Sequence, residues 1–201
     1  MLKIAVGLTA GAILGVHVLT TRRLKIPPES LLAQDSSQCI NDFPAHSCLS
    51  DLFEVKIPRR LVGSLTVNQF ARAFGHSPVF SLERVFFKQI GVCEDIQVPK
   101  AFEVGERLML LVVAKRNKDE ILAKWHAPPG SRFSELSGGT YFRVIDEESA
   151  SSVTVQFGSS LKAPIEAPVS DIAVRYHLFY SRVLILNTVV TVVARKVLGI
   201  L

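Results

Sequence analysis

The chain has 201 residues, room for one domain plus an appendage, and its composition of 48% hydrophobic and 20% charged residues excludes wholesale disorder. Its net charge is +5, and basic residues gather beside an apolar N-terminus, which favours contact with anionic headgroups. No basic run with interleaved aromatics and no zinc or RNP-type motif points to nucleic acid, so none is expected as a partner.

Three cysteines, Cys39, Cys48 and Cys93, form no CxxC pair, so neither a disulfide framework nor a zinc site is expected. No N-x-S/T sequon follows the N-terminal segment, which agrees with a cytosolic domain.

Ile4 to Thr21 carries no formal charge and is bracketed by Lys3 and by Arg22, Arg23 and Lys25. This length suits a membrane helix whose flanking cations snorkel. A cleaved signal peptide would need a small-x-small site, and His17-Val-Leu-Thr-Thr-Arg-Arg23 offers none. An uncleaved single-pass anchor over 1–23 is therefore expected, with the heavier positive flank placing the domain on the cytosolic side. Gly7, Gly11 and Gly15 line one helix face and allow pairing with another helix.

Residues 24–50 read as a linker opened by Pro27-Pro28, and the domain is expected over 51–201. Leu52 to Ile57 predicts a strand stopped by Pro58. Thr66 to Phe74 predicts a helix on the spacing of Val67, Phe70, Ala71 and Phe74. Ser77 and Pro78 open a second helix, from Val79 to Ile90, that Gly91 closes. The period then changes to two. Strands are expected at Arg107 to Lys115, Glu120 to His126, Gly139 to Ile145 and Ser152 to Gly158. Ser170 to about Leu198 reads as one long helix.

Strand, two helices, a run of antiparallel strands and a long C-terminal helix make an α+β class. This order resembles the START-like helix-grip (SRPBCC) superfamily, over about residues 50 to 200. The resemblance implies a curved antiparallel sheet wrapped around the C-terminal helix, with a cavity between them.

At 100° per residue, His177, Tyr180, Leu184, Asn187, Thr188 and Thr191 share one face of that helix. Apolar flanks lie on both sides: Val174, Leu178, Ile185, Val189 and Val192 on one, Ile172, Phe179, Val183 and Val190 on the other. The polar stripe is expected to face the cavity, where buried polar groups need partners. The bland alternative is that Thr and Asn bond to their own backbone and Tyr180 is plain core.

No HExxH, nucleophile elbow, P-loop or dinucleotide fingerprint is present, so neither a metal nor a nucleotide cofactor is expected. His177 is the natural proton carrier. Glu83, in Ser81-Leu-Glu-Arg84, becomes an acid or base if burial raises its pKa. Trp125 or His126, on opposite strand faces, and the pair Tyr141 and Arg143, on one face, are candidates for the opposite wall.

Phe74-Gly-His-Ser-Pro-Val-Phe-Ser-Leu-Glu-Arg84 and His177-Leu-Phe-Tyr-Ser-Arg182 are similar to segments of small fungal cyclases associated with pyrone polyketides. That resemblance implies an enzyme on an apolar polyketide-like substrate, here carried on the expected membrane tether. His177 would be acid or base, Tyr180 and Arg143 would polarise carbonyls, and Glu83 would assist; Trp125, Tyr141, Asn187, Thr188 and Thr191 would line the ligand. A lipid or sterol carrier and a structural assembly factor are the rival expectations.

Overall fold

A computed structural model describes residues 21–34, 48–89, 91, 97–127, 129–130, 136–162 and 171–200. The strands are β1 (Arg22–Arg23), β2 (Cys48–Pro58), β3 (Arg107–Leu108), β4 (Leu111–Arg116), β5 (Glu120–His126), β6 (Ser137–Ile145) and β7 (Ser152–Lys162). Besides a helical turn over 31–34, the described helices are α1 (Arg59–Val62), α2 (Val67–Gly75), α3 (Pro78–Gln89) and α4 (Asp171–Val197). All strand pairs are antiparallel, in the order β1-β2-β7-β6-β5-β4-β3. The chain is thus α+β, with an open seven-stranded curved sheet and a long C-terminal helix lying on one face.

Strand alternation sorts the sheet into two surfaces. On the helix side, Phe53, Phe157, Phe142 and Ile121 stand in one register row across four strands. Beyond them Val55, Val155 and Val144 make an aliphatic row. Phe70, Phe74 and Phe80 from α2 and α3, and Ile185, Val189 and Val192 from α4, close this core. Helix α2 enters through a full capping box, in which Thr66 and Gln69 cap each other's backbone N–H groups.

The opposite face carries a smaller cluster of Leu52, Leu122, Tyr141 and Leu32. Here the expectation of a linker over 24–50 gives way for the described parts: residues 48–50 belong to β2, and residues 24–34 lie along the sheet. Leu24, Ile26, Leu31 and Leu32 pack on the back of the sheet. The Leu24 N–H donates to Leu52 O at 2.8 Å, and the Leu31 N–H donates to Glu120 Oε2 at 3.3 Å. The apolar residues flanking Pro27-Pro28 are what the polar appearance of the segment concealed. Arg22 and Arg23, assigned to the anchor, instead pair with Glu54 and Phe53. The remainder of the expected anchor, Gly7, Gly11 and Gly15 included, lies outside the described residues.

Gly158 makes this strap possible. A Cβ there would lie 2.6 Å from Leu32 Cδ2 and 2.7 Å from Asp51 O. Gly158→Val is therefore expected to lift Leu32 and lower stability by about 1–3 kcal/mol. Urea unfolding, together with faster proteolysis within 22–34, checks this.

Strand bounds are longer than the sequence predicts: β2 and β7 each run 11 residues. The expected strand at Arg107 to Lys115 is broken at Met109, whose φ of 59° cannot continue a strand. Helix α4 is long and apolar enough, by length and composition, to cross a membrane over Val174–Val197. One flank of it is nevertheless core, with Ile185 and Val192 fully buried.

Candidate functional site

The helix-side face changes character along the strands. One step beyond the aromatic row, the register places Asp51, Ser159, Thr140 and Ala123 side by side. Trp125 follows on β5, opposite Gly138. A Cβ on Gly138 would come within 2.7 Å of the indole, so the glycine leaves room for the ring. Over this end of the sheet α3 and α4 stand off and leave a cavity of about 240 Å³. Phe74, Phe80, Phe157 and Leu184 give it an apolar body; Glu83, His177, Tyr180 and Ser159 give it polar points.

The first polar group centres on Asp51, whose side chain is fully buried. Its Oδ1 accepts from the Ser159 N–H and the Ser159 hydroxyl, each at 3.0 Å. The Ser159 Oγ lies 2.9 Å from His177 Nε2, and Asp51 Oδ2 lies 3.0 Å from the same nitrogen. Because the Ser159 proton goes to Asp51, Oγ has only a lone pair to offer the ring. Both oxygens facing Nε2 are then acceptors, so the network assigns the proton to Nε2. In its neutral form the ring then carries its lone pair on Nδ1, the arrangement of a base held in one tautomer through Ser159 and the carboxylate behind it. Nε2–H aligns with Ser159 Oγ, and Asp51 Oδ2 has no aligned hydrogen-bond donor among the described residues. Its interaction with the ring is therefore mainly electrostatic.

The second polar group joins α3 to α4. The Tyr180 hydroxyl donates to Glu83 Oε2 at 2.7 Å. Burial raises the Glu83 pKa above its ordinary 4.5, and the Tyr180 hydrogen bond opposes this to a lesser degree. Burial, followed by the Glu83 charge and hydrogen bond, also raises Tyr180, so the phenol stays protonated.

A carboxyl with a raised folded pKa contributes its stability in full below the unfolded value and loses it as pH climbs through the folded value. Stability is therefore expected to decline as pH rises above about 4.5, and Glu83→Gln to flatten that part of the profile. Urea midpoints across pH test this; an unchanged profile in the variant contradicts it.

Of the expected site residues, His177, Tyr180, Glu83 and Trp125 meet at this cavity. Tyr141 and Arg143 do not. They sit together, as alternation predicted, but on the back face. There the Tyr141 hydroxyl donates to buried Glu120 at 2.7 Å, and Arg143 Nε makes an ionic contact of 3.4 Å with the same carboxylate. Asn117 Nδ2 also donates to Glu120, at 3.0 Å. This network holds the strap.

Asn187, Thr188 and Thr191 also fall outside the cavity lining. Each donates to the carbonyl four residues earlier, at 3.2, 2.8 and 2.8 Å, which satisfies them within the helix. Asp51 and Ser159 are the functional candidates that the sequence reading missed. Among the described residues, no three His, Cys, Asp or Glu side chains come together as a metal site.

No family model matches the chain, and no curated protein matches it. Among solved structures, a structural-genomics target from Nitrosospira multiformis aligns with a TM-score of 0.38 at 14% identity, covering 69% of this chain and 92% of that one.

Proposed function

We propose that this chain is a START-like acid–base catalyst of the cyclase type, acting on an apolar polyketide-like carbonyl compound. One observation carries the reading: Glu83, Tyr180 and His177 line the same largely apolar cavity. Glu83, with its raised pKa, holds a proton more readily than an ordinary carboxyl, and His177 presents Nδ1 as base. Environments that set two titratable groups apart in this way assign acid and base roles.

Enolisation needs little more. His177 takes an α-proton, Glu83 or Tyr180 hydrogen-bonds to the carbonyl oxygen as negative charge develops there, and the apolar walls hold the chain folded. At about 240 Å³ the cavity exceeds the ~150 Å³ that admits benzene in an engineered core, so a fused bicyclic ring is a reasonable ligand size. The apolar segment Ile4 to Thr21 would tether the domain at a membrane.

The test is α-proton exchange of 2-tetralone in deuterated buffer, followed by NMR. His177→Gln is expected to slow exchange by about 10²–10⁴-fold, and Glu83→Gln by less. Undiminished exchange in His177→Gln removes the assignment.

A lipid or sterol carrier is the second reading. It is favoured by the uncovered apolar side chains beside the cavity, Leu82 and Tyr176 among them. It expects ligand binding to survive His177→Gln and no exchange activity in the parent chain.

A further inference from the structure

The sequence places apolar flanks on both sides of the polar stripe of α4, and burial of both would be the ordinary outcome. Only one is buried. Ile172, Tyr176 and Phe179, at steps of four and three along the helix, stand 80%, 65% and 64% exposed. On α3, Leu82, Val85 and Phe86 do the same, with Leu82 72% exposed. Single exposed apolar residues are ordinary, but two adjacent helix faces of them mark an interaction surface. The faces meet at one seam. Tyr180 of α4 bonds Glu83 of α3, and Tyr176 stacks on Tyr180 with ring centres 5.9 Å apart. The seam is also a wall of the cavity, since Glu83 and Tyr180 line it.

Charge identifies the occupant. Arg175 and Arg182 are exposed. Arg175 lies three residues after Ile172 and four before Phe179, and Arg182 lies three beyond Phe179, so both border the apolar stripe. Exposed Lys88 lies on α3, while Glu83 turns to the seam. A second copy docked face to face would set arginine against arginine. A bilayer with anionic headgroups accepts aromatic and aliphatic side chains between cations whose stems snorkel outward.

We infer that the outer faces of α3 and α4 dock on an anionic lipid surface, so that the cavity wall formed by Glu83 and Tyr180 lies against the bilayer. The docking stands on exposure and charge alone. That the bilayer also delivers the cavity's ligand rests on the reading proposed above.

The test uses the full chain bound to phosphatidylcholine vesicles with and without phosphatidylserine. Phe179→Trp and, as a control on the exposed β4–β5 turn, Lys118→Trp each add one indole to the native Trp125. Nitroxide-labelled lipids are expected to quench Phe179→Trp several-fold more than the control in anionic vesicles, and Arg175→Glu/Arg182→Glu to remove the difference. Equal quenching at the two positions overturns the proposal, because an N-terminal tether alone would treat them alike. Concentration-dependent blue emission at 179 that lipid nitroxides do not quench also overturns it, and assigns the face to a second copy. Tetralone exchange in Phe179→Trp reads the catalytic proposal separately: its persistence when docking fails leaves the cavity chemistry standing, and its absence in the parent chain leaves the docking result intact.

Discussion

Asp51→Ala is expected to destabilise the fold by about 3 kcal/mol, because it strips a charged acceptor from two buried hydrogen bonds. The Ser159 N–H and hydroxyl would each lose a 3.0 Å bond to Asp51 Oδ1. Asp51→Asn separates structure from chemistry. Its amide oxygen can keep the Ser159 contacts, so the stability loss should be about 1 kcal/mol. The amide NH₂ must then stand where Oδ2 now lies, 3.0 Å from His177 Nε2, donor against donor. The imidazole relieves this only by moving its proton to Nδ1, the nitrogen that has to act as base. Reversing the amide instead places the NH₂ against the Ser159 N–H. Either way tetralone exchange should fall about 100-fold while urea unfolding changes little. Exchange at the parent rate in Asp51→Asn would mean that Asp51 is a packing residue and that His177 is not oriented through it.

Much of the architecture was legible because hydrophobic period is a local property. Val153, Val155 and Phe157 alternate and do form β7; Val67, Phe70, Ala71 and Phe74 step helically and do form α2. Element ends were less legible, and the site lies just beyond the expected ends of two strands. Asp51 continues the alternation of Phe53, Val55 and Ile57 by one step, and Ser159 continues that of Phe157 by one step. A polar residue at an inward position reads as the stop of a strand when the strand in fact runs on past it, to Cys48 in β2 and Lys162 in β7. Extending each alternation by two residues, and asking which polar side chain would then point inward, is the signal that finds both.

The errors on the opposite wall have a different origin. Alternation correctly put Tyr141 with Arg143, but it cannot say which of two faces receives the helix. Glu54, Gln156, Arg143 and Glu120 form one register row on the back, and that charged row becomes visible only once the strands are aligned. Tyr141 is fully buried there beneath Leu31 and Leu32, cover that a proline-rich stretch gave no hint of. On α4, Thr188 and Thr191 needed no cavity, because a helix supplies carbonyl acceptors four residues back. The second apolar flank is the converse case: the wheel showed Ile172 and Phe179 as apolar, and only the packed helix shows that the sheet does not reach them.

Phe74→Ala should give the largest purely structural effect. The ring lies 4.4 Å from Phe80, 5.1 Å from Phe142 and 5.6 Å from Phe157, centre to centre, so one side chain ties α2, α3 and two central strands together. It is 2% exposed. Removing such a ring costs about 3–5 kcal/mol through lost burial and the cavity left behind, and urea unfolding should show a loss of that size. Phe74 also lines the ligand cavity, so a variant that survives folding should hold a bulkier ligand. Fluorescent polycyclic ketones too large for the parent chain should bind Phe74→Ala, and tetralone itself should bind more weakly as its contacts thin. Phe74→Leu, which keeps most of the volume, should recover much of the stability and the parent size limit. If Phe74→Ala loses stability but gains no capacity for larger ligands, the ring belongs to the core alone and the cavity ends short of it.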